Sequence, residues 1–495
     1  MLSNQKRFKK VKQSVIIHLN EEKMMLTQII TIVTSILIII GVGLLKKQDE
    51  RLMNKVIKVL TIIYFIIVGL TILLPDGLIM SVSENEIHKL LGINKFFLII
   101  RSFKAIILPT LVISIFFDNK YFKNLLIFIC LPTALISLGL YHEYMNYYLM
   151  ETGKGLNSIP YFSQSFKAFL ISPGFRSVIF GIEWGIVIVI SVVVIINHFE
   201  LVNTLKEIIQ LIIILCCLLI QFMPIYLPQL LYEGFSNIIF DSFELTHFLW
   251  MIYIVLKIGL IYLLFRKKSN QTKFIVCLVL ALALLIQYNS MFSLTISIKR
   301  LPFQLCNIAS YLMIIALITK NKHLFNFNFL VNVLGAFLAL LLPDVNGRGI
   351  FEVWNMHFIY EHTNIIVIPI LCLLFGIFNN LNKESLKDAM IGFSCYFVFC
   401  AIIGMTFNII AVVNNNNYFE VNYLFMFDMD KALDVLPFLA PLTKITISIK
   451  NTTFYPLIML VVYFGYSSFV IIFYLLLRIV NHLFHKKHQI ADGTI

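Results

Sequence analysis

Apolar stretches of roughly membrane-spanning length recur along the whole chain, and loops or charged residues separate them. A bilayer core of roughly 30 Å needs about 20 apolar residues to cross it as a helix. Because water is absent there, each backbone N–H and C=O must be satisfied within its own segment. The pattern therefore predicts an all-α, polytopic transmembrane helical bundle of about thirteen spans, at 26–45, 56–74, 96–117, 124–142, 176–197, 206–224, 247–265, 273–290, 301–319, 325–343, 361–379, 388–413 and 454–480.

Composition supports a membrane protein. The 495 residues are 59% hydrophobic and 13% charged, whereas soluble domains carry about 25% charged residues. The net charge of +13 comes from basic residues near helix ends, so we expect membrane phospholipids, with anionic headgroups at the basic loops, rather than nucleic acid as partners. The sequence has no phosphate loop, zinc-type cysteine pair or EF-hand, and we predict neither a cofactor nor a metal.

Positive residues indicate how the spans are oriented. Loops after odd-numbered spans hold 17 Lys and Arg, and the longer loops after even-numbered spans hold 11. Because positive loops stay cytoplasmic, we predict a multi-pass protein of the bacterial cell membrane with a cytoplasmic C-terminus. The same count places the N-terminus outside, although residues 6–12 are strongly basic.

Similar segments suggest that the chain contains an internal duplication. The segment 182–189 resembles 360–367, and the turn 118–122 resembles 320–324, so spans 1–6 match spans 7–12 as a parallel duplication. We therefore predict an N-terminal half, 1–243, and a C-terminal half, 244–495. Trp184 then stands where His362 stands, and Lys104 stands near the position of Cys306. In this interpretation only the second half keeps reactive side chains.

Polar side chains inside the apolar spans are candidates for chemistry, because such groups are costly in a bilayer. Span 9 opens with Pro302, which suits the first turn of a helix, followed by Gln304, Cys306 and Asn307. One interpretation is a thiol nucleophile near the outer membrane surface. The other is a packed cysteine beside two amides that hold helices together.

Histidines enter two other spans. His362 follows Glu361 in span 11 and is a candidate general base, or else an interfacial histidine. His247 opens span 7 beside Trp250, which is typical of an interface anchor. Span 10 ends near Asp344, and Asn422 follows span 12. By the parity of the spans these polar residues, with Cys306, lie toward the same outer side.

Four separated motifs, 301–306, 335–344, 360–362 and 422–426, occur in an order that resembles the YwaF-type integral membrane family, which includes the eukaryotic transmembrane protein 164. The resemblance covers about residues 244–480. It implies a phospholipid acyltransferase that moves an acyl chain without acyl-CoA, with a cysteine carrying the acyl group and a histidine assisting. The histidine corresponds to His362. The family's eukaryotic cysteine corresponds to Phe303, one helical turn before Cys306.

The predicted function is therefore acyl transfer between phospholipids by Cys306 and His362. Gln304 or Asn307 would donate to the oxyanion, with support from His247, Asp344, Glu361 and Asn422. A multi-pass transporter or lipid flippase is the alternative, although the sequence has no charged residue near the centre of a predicted span except Lys104 and Lys257. A non-catalytic membrane scaffold is a third interpretation.

Overall fold

The computed structural model describes residues 26–44, 49–70, 95–149, 162–197, 199–231, 238–292, 298–343, 347–378, 381–427 and 437–491. Within these ranges the chain is almost entirely helical, with two short antiparallel ladders. The predicted all-α fold is confirmed. The chain divides into two compact units, Met1–Leu231 with Asn289–Ile296, and Tyr232–Tyr288 with Ser297–Ile495. The basic segment 6–12 and Asp344 lie outside the described residues.

Unit 1 is built from helices alone in its described part. They are α1 (Leu26–Leu44), α2 (Glu50–Leu70), α3 (Lys95–Lys104), α4 (Ile107–Phe116), α5 (Lys120–Leu125), a π-helix (Leu126–Cys130), α6 (Leu131–Gly139), α7 (Tyr141–Leu149), α8 (Gln164–Ile171), α9 (Pro173–Ile196), α10 (Leu205–Gln221) and α11 (Leu227–Leu231).

Unit 2 adds short strands and irregular turns to its helices. Its regular elements begin with β1 (Ile239–Phe240), α12 (Leu245–Phe265), α13 (Asn270–Phe292), a 3-10 turn (Ile298–Arg300), α14 (Leu305–Thr319), α15 (Lys322–Phe327), a π-helix (Asn328–Asn332) and α16 (Val333–Leu341). They continue with β2 (Arg348–Gly349), α17 (Val353–Leu374), α18 (Lys383–Val413), three 3-10 turns (Asn417–Phe419, Tyr423–Phe425, Pro437–Lys444), β3 (Ile447–Ile449), β4 (Thr452–Phe454) and α19 (Pro456–Ala491).

Eleven helical segments in the described part of the chain are long and apolar enough to cross a membrane. Each predicted span overlaps a helix, but two of these helices are shorter. Span 206–224 corresponds to α10, with 17 residues, and span 301–319 corresponds to α14, with 15 residues. At 1.5 Å per residue, α14 is about 22 Å long, less than the bilayer core. Its missing first turn is the irregular segment discussed below.

The same local architecture recurs in the two units. Asp118 and Lys320 both have left-handed φ values of 51°. Asn119 and Asn321 follow, and each side-chain oxygen accepts from two backbone N–H groups of the next helix, α5 or α15. Both helices then widen into a π-helix at the same interval (320 − 118 and 328 − 126 both equal 202). These matches support our proposal that the two halves are duplicated.

A small ladder fixes where α12 and α17 begin. Strand β1 pairs with β2, with Ile239 opposite Gly349, and each strand lies just before one of these helices. Asn355 in the first turn of α17 donates to the carbonyl oxygens of Arg348 and Gly349, at 3.2 and 3.0 Å. The buried amide thereby satisfies the ladder end, and it orients the helix that carries Glu361 and His362.

Candidate functional site

The chain before α14 is not helical. Gln304 is the N-cap residue with extended backbone angles, and its side chain does not cap the helix. The expectation that Pro302 lies in the first helical turn is therefore wrong. The helix begins at Leu305, and the Gln304 side chain is engaged elsewhere.

Gln304 joins span 9 to the loop that follows α18. Its Nε2 donates to Asn422 O and its Oε1 accepts from Leu424 N, both at 3.0 Å. Leu424 and Phe425 have left-handed φ values of 52° and 58°. Asn422 Oδ1 accepts from Phe427 N at 2.9 Å. Two motifs more than 100 residues apart are thus connected by a pair of hydrogen bonds at one amide.

Helix α18 supports both sides of this connection. Tyr396 Oη donates to Pro302 O at 3.1 Å, and Asn408 forms two 3.0 Å hydrogen bonds with the backbone of Val421. The thiol of Cys400 donates to Phe303 O at 3.6 Å. Sequence analysis overlooked Cys400, although it contacts the position that corresponds to the family's eukaryotic cysteine. Only the packing of α18 against the irregular segment reveals that neighbour.

Cys306 lies in the first turn of α14. It is half-buried, and its thiol donates to Asn307 Oδ1 at 3.2 Å. The charged group that acts on the thiol is the carboxylate of Glu361 in α17.

Glu361, which is buried, and His357, which is half-buried, form a pair one turn apart on α17. His357 Nε2 lies 3.1 Å from Glu361 Oε2, and the side chains are 12% and 3% exposed. The sequence pattern predicts Glu361 as a supporting residue of the site, and in the structure its carboxylate pairs with His357. The i,i+4 spacing of the two residues is the signal that identifies this pair.

His362 follows Glu361 in α17 and is also buried. Its Nδ1 lies 2.8 Å from Phe358 O. A carbonyl oxygen only accepts, so Nδ1 carries a proton and the neutral ring keeps its lone pair on Nε2. Within the described ranges, no hydrogen bond joins His362 to Cys306. Each residue has its own partner on its own helix.

His247 and Trp250 are internal residues of unit 2. Phe243 N donates to His247 Nδ1 at 2.9 Å, so Nε2 carries the proton that reaches Leu340 O at 2.6 Å. Trp250 is 4% exposed and its Nε1 donates to Thr363 Oγ1 at 2.8 Å. The interpretation of Trp250 as an interface anchor is therefore wrong, because its polar atom is satisfied by α17 and not by headgroups.

Charged residues in the spans are more numerous than sequence analysis recognised. Lys104 forms a bidentate ion pair with Glu183 of α9 in unit 1, at 3.0 Å to each oxygen. Lys257 of α12 donates to Asn364 Oδ1 at 2.9 Å in unit 2. Glu183 is an additional charge within a predicted span, and it is 3% exposed.

The comparison with known families matches the part of the chain that contains this site. Residues 242–477 match the TMEM164 family, close to the 244–480 that the motifs predicted. No curated protein and no solved structure matches the chain. The protein is thus an integral membrane protein whose residues 242–477 match the TMEM164 family.

Proposed function

We propose that this protein transfers an acyl chain between membrane phospholipids through a thioester on Cys306. The observation that carries the proposal is the position of Cys306: a half-buried thiol in the first turn of α14 that donates to Asn307 Oδ1 and feels the charge of the buried Glu361 carboxylate. A thiol needs a nearby base or cation to become a good nucleophile. The family match and the sequence motifs agree with this assignment.

The reaction consists of two transfers. In the first, the sulfur of Cys306 attacks the ester carbonyl of a donor phospholipid. The S–C bond forms, the ester C–O bond breaks, and the thiol proton passes through a histidine to the departing lysophospholipid oxygen. In the second, the hydroxyl of a lysophospholipid attacks the thioester and gives up its proton. The new ester C–O bond forms, the C–S bond of the thioester breaks, and the sulfur recovers the proton.

The two amides have different roles in this proposal. Gln304 uses both ends of its amide to bind the backbone of Asn422 and Leu424, so it positions the start of α14. Asn307 accepts from the Cys306 thiol with Oδ1, and its Nδ2 is the better donor for an oxyanion at the attacked carbonyl. His362 enters as the assisting histidine on the strength of the family resemblance.

A trapped intermediate tests the proposal. Purified protein is incubated with a phospholipid that carries a labelled acyl chain, and the Cys306 peptide is examined by mass spectrometry. We expect a hydroxylamine-sensitive acyl adduct on Cys306, which Cys306→Ala abolishes. Cys400→Ala is the matched control, since its thiol lies at the neighbouring Phe303. An adduct on Cys400, or full acyl transfer by Cys306→Ala, would overturn the assignment.

One observation favours transport instead. The Lys104–Glu183 pair is an ion pair inside the apolar part of unit 1, with side chains 18% and 4% exposed, and such residues often mark pathways for substrates or ions. A transporter predicts substrate flux into proteoliposomes that Glu183→Gln abolishes, with no acyl adduct on the protein.

A further inference from the structure

We propose that a cleft between α14, α15 and α18 in unit 2 binds a phospholipid. One acyl chain lies in the cleft, and the phosphate lies at the turn that joins α14 to α15. The inference does not rest on the proposed acyl transfer, and it concerns a surface of the protein to which that reaction assigns no role.

The cleft has the size and the lining of a ligand site. Its volume is about 480 Å³, within the roughly 300–1,000 Å³ of small-molecule sites. Ile391 and Phe399 are exposed residues of α18, a helix long and apolar enough to cross a membrane, so the cleft opens toward the bilayer. Water is absent from the bilayer core, and hydrocarbon therefore fills the cleft. The apolar and aromatic side chains that line it include Leu312, Leu324, Phe327, Ile391, Tyr396 and Phe399.

The length of the cleft matches one leaflet of the membrane. Asp388 and Phe399 both line it and are eleven residues apart on α18 (399 − 388). At 1.5 Å per residue the two positions are about 16 Å apart along the helix. Half of a bilayer core is about 15 Å, so an acyl chain that starts beside Asp388 reaches Phe399 near the middle of the membrane.

Packing between helices forms the wall of the cleft before a ligand enters. A Cβ added at Gly392 would lie 2.8 Å from the Phe327 ring, so glycine allows this ring to pack directly against α18. The rings of Phe327 and Tyr396 pack edge to face, with centroids 5.9 Å apart. Tyr396 Oη in turn donates to Pro302 O at 3.1 Å. A wall that is already ordered reduces the entropy lost when a chain binds.

One end of the cleft is polar. Asp388 Oδ2 accepts from Asn326 Nδ2 at 2.9 Å, and Asp388 Oδ1 lies 2.9 Å from His323 Nδ1. A carboxylate only accepts, so the Nδ1 of His323 carries a proton. The contact fixes the imidazole at the mouth of the cleft, where its second nitrogen, Nε2, is the one left for a ligand.

The turn beside this end supplies groups for a phosphate. Lys320, Lys322 and His323 are all exposed, and the two lysines line a smaller cleft of about 260 Å³ that also includes Asp388. Of the two carboxylates that line this smaller cleft, Asp388 is bound by two donors, which leaves Glu384 opposite two lysines. Basic pockets between transmembrane helices near the membrane surface bind lipid headgroups.

Photolabelling tests the site in full-length protein reconstituted in nanodiscs of phosphatidylglycerol. The probe is phosphatidylglycerol with a diazirine on one acyl chain. The matched probe is diacylglycerol with the same labelled chain, which lacks the phosphate. After irradiation the adducts are mapped by mass spectrometry. We expect phosphatidylglycerol adducts to concentrate on residues 324–327 and 391–399, and diacylglycerol at the same mole fraction to label these residues about fivefold less or weaker still.

Two variants examine the chain and the phosphate separately. Ile391→Trp fills part of the cleft and should lower the adducts on residues 324–327 about tenfold. Ile402→Trp is its control, because Ile402 is exposed on the same helix and does not line the cleft. Lys322→Gln should lower phosphatidylglycerol labelling about fivefold and leave diacylglycerol labelling unchanged. Lys206→Gln, at an exposed lysine of unit 1, is the charge control.

Two results would overturn the inference. One is equal labelling by the two probes, which removes the phosphate from the site. The other is a set of adducts spread evenly along the exposed face of α18 that Ile391→Trp and Ile402→Trp change equally. Cys395→Trp replaces Ile391→Trp if the latter melts well below the native protein, because Cys395 is exposed and also lines the cleft.

Discussion

The two hydrogen bonds of Gln304 predict a loss of folding stability when this side chain is replaced. Gln304→Met keeps the length and approximate volume of the side chain but removes the donor to Asn422 O and the acceptor for Leu424 N. Water does not take over the hydrogen bond of Leu424 N, because Leu424 is only 7% exposed. The substitution therefore tests the connection between the irregular segment and the loop after α18 without opening a large cavity.

The expected cost follows from the two bonds. Each typical hydrogen bond contributes about 0.5–1.5 kcal/mol net, and a buried donor left without a partner costs about 1–3 kcal/mol. Gln304→Met should thus lower the free energy of unfolding by about 2–3 kcal/mol. For a unit of this size each kcal/mol lowers Tm by about 2–4 °C, so we expect a fall of roughly 4–12 °C.

Thermal unfolding in detergent micelles, followed by near-ultraviolet circular dichroism, measures the change. Gln164→Met is the matched control, since Gln164 is exposed in the first turn of α8, and it should leave Tm within about 1 °C. Asn408→Leu should behave like Gln304→Met, because Asn408 forms the same pair of bonds with Val421. A Gln304→Met protein that melts with the native protein would refute the proposed connection.

Three further predictions use the same melting assay. Lys104→Met should lower the free energy of unfolding by about 3–5 kcal/mol, because it leaves the buried charge of Glu183 uncompensated. The double variant with Glu183→Gln should recover most of the loss, and equal melting of the single and double variants would contradict this. Gly404→Leu should cost about 1–3 kcal/mol, since even a Cβ there meets the Phe427 ring, and a native Tm would mean that the ring moves freely. Asn321→Ala should cost about 1 kcal/mol as a lost N-cap, and Asn321→Ser should not; equal losses would remove the cap as the cause.

Helix positions were predictable because the bilayer imposes them. Each of the thirteen apolar stretches overlaps a helix, since a segment without water must satisfy its own backbone. The start of α14 was not predictable in this way. Pro302 favours a first helical turn, but the Gln304 side chain binds Asn422 and Leu424 instead. That partner lies more than 100 residues away and leaves no periodic signal.

Candidate chemistry was only partly visible from the sequence. Motif order identified Gln304, Cys306, His362 and Asn422 as a set, and the family match covers them all. The motifs did not show that His362 and Glu361, neighbours in sequence, have different partners. Successive residues on a helix point about 100° apart, so adjacent polar residues face different elements.

The sequence by itself determined that this chain is a membrane-embedded helical protein and which family its second half resembles, because spans and motifs are local patterns. The tertiary structure decided that Glu361 pairs with His357 and that α18 brings Cys400 to Phe303. Such pairings depend on the phase of each helix and on the depth at which it packs against its neighbours. Hydropathy does not encode either quantity, since a strongly apolar span has nearly the same hydropathy on every face.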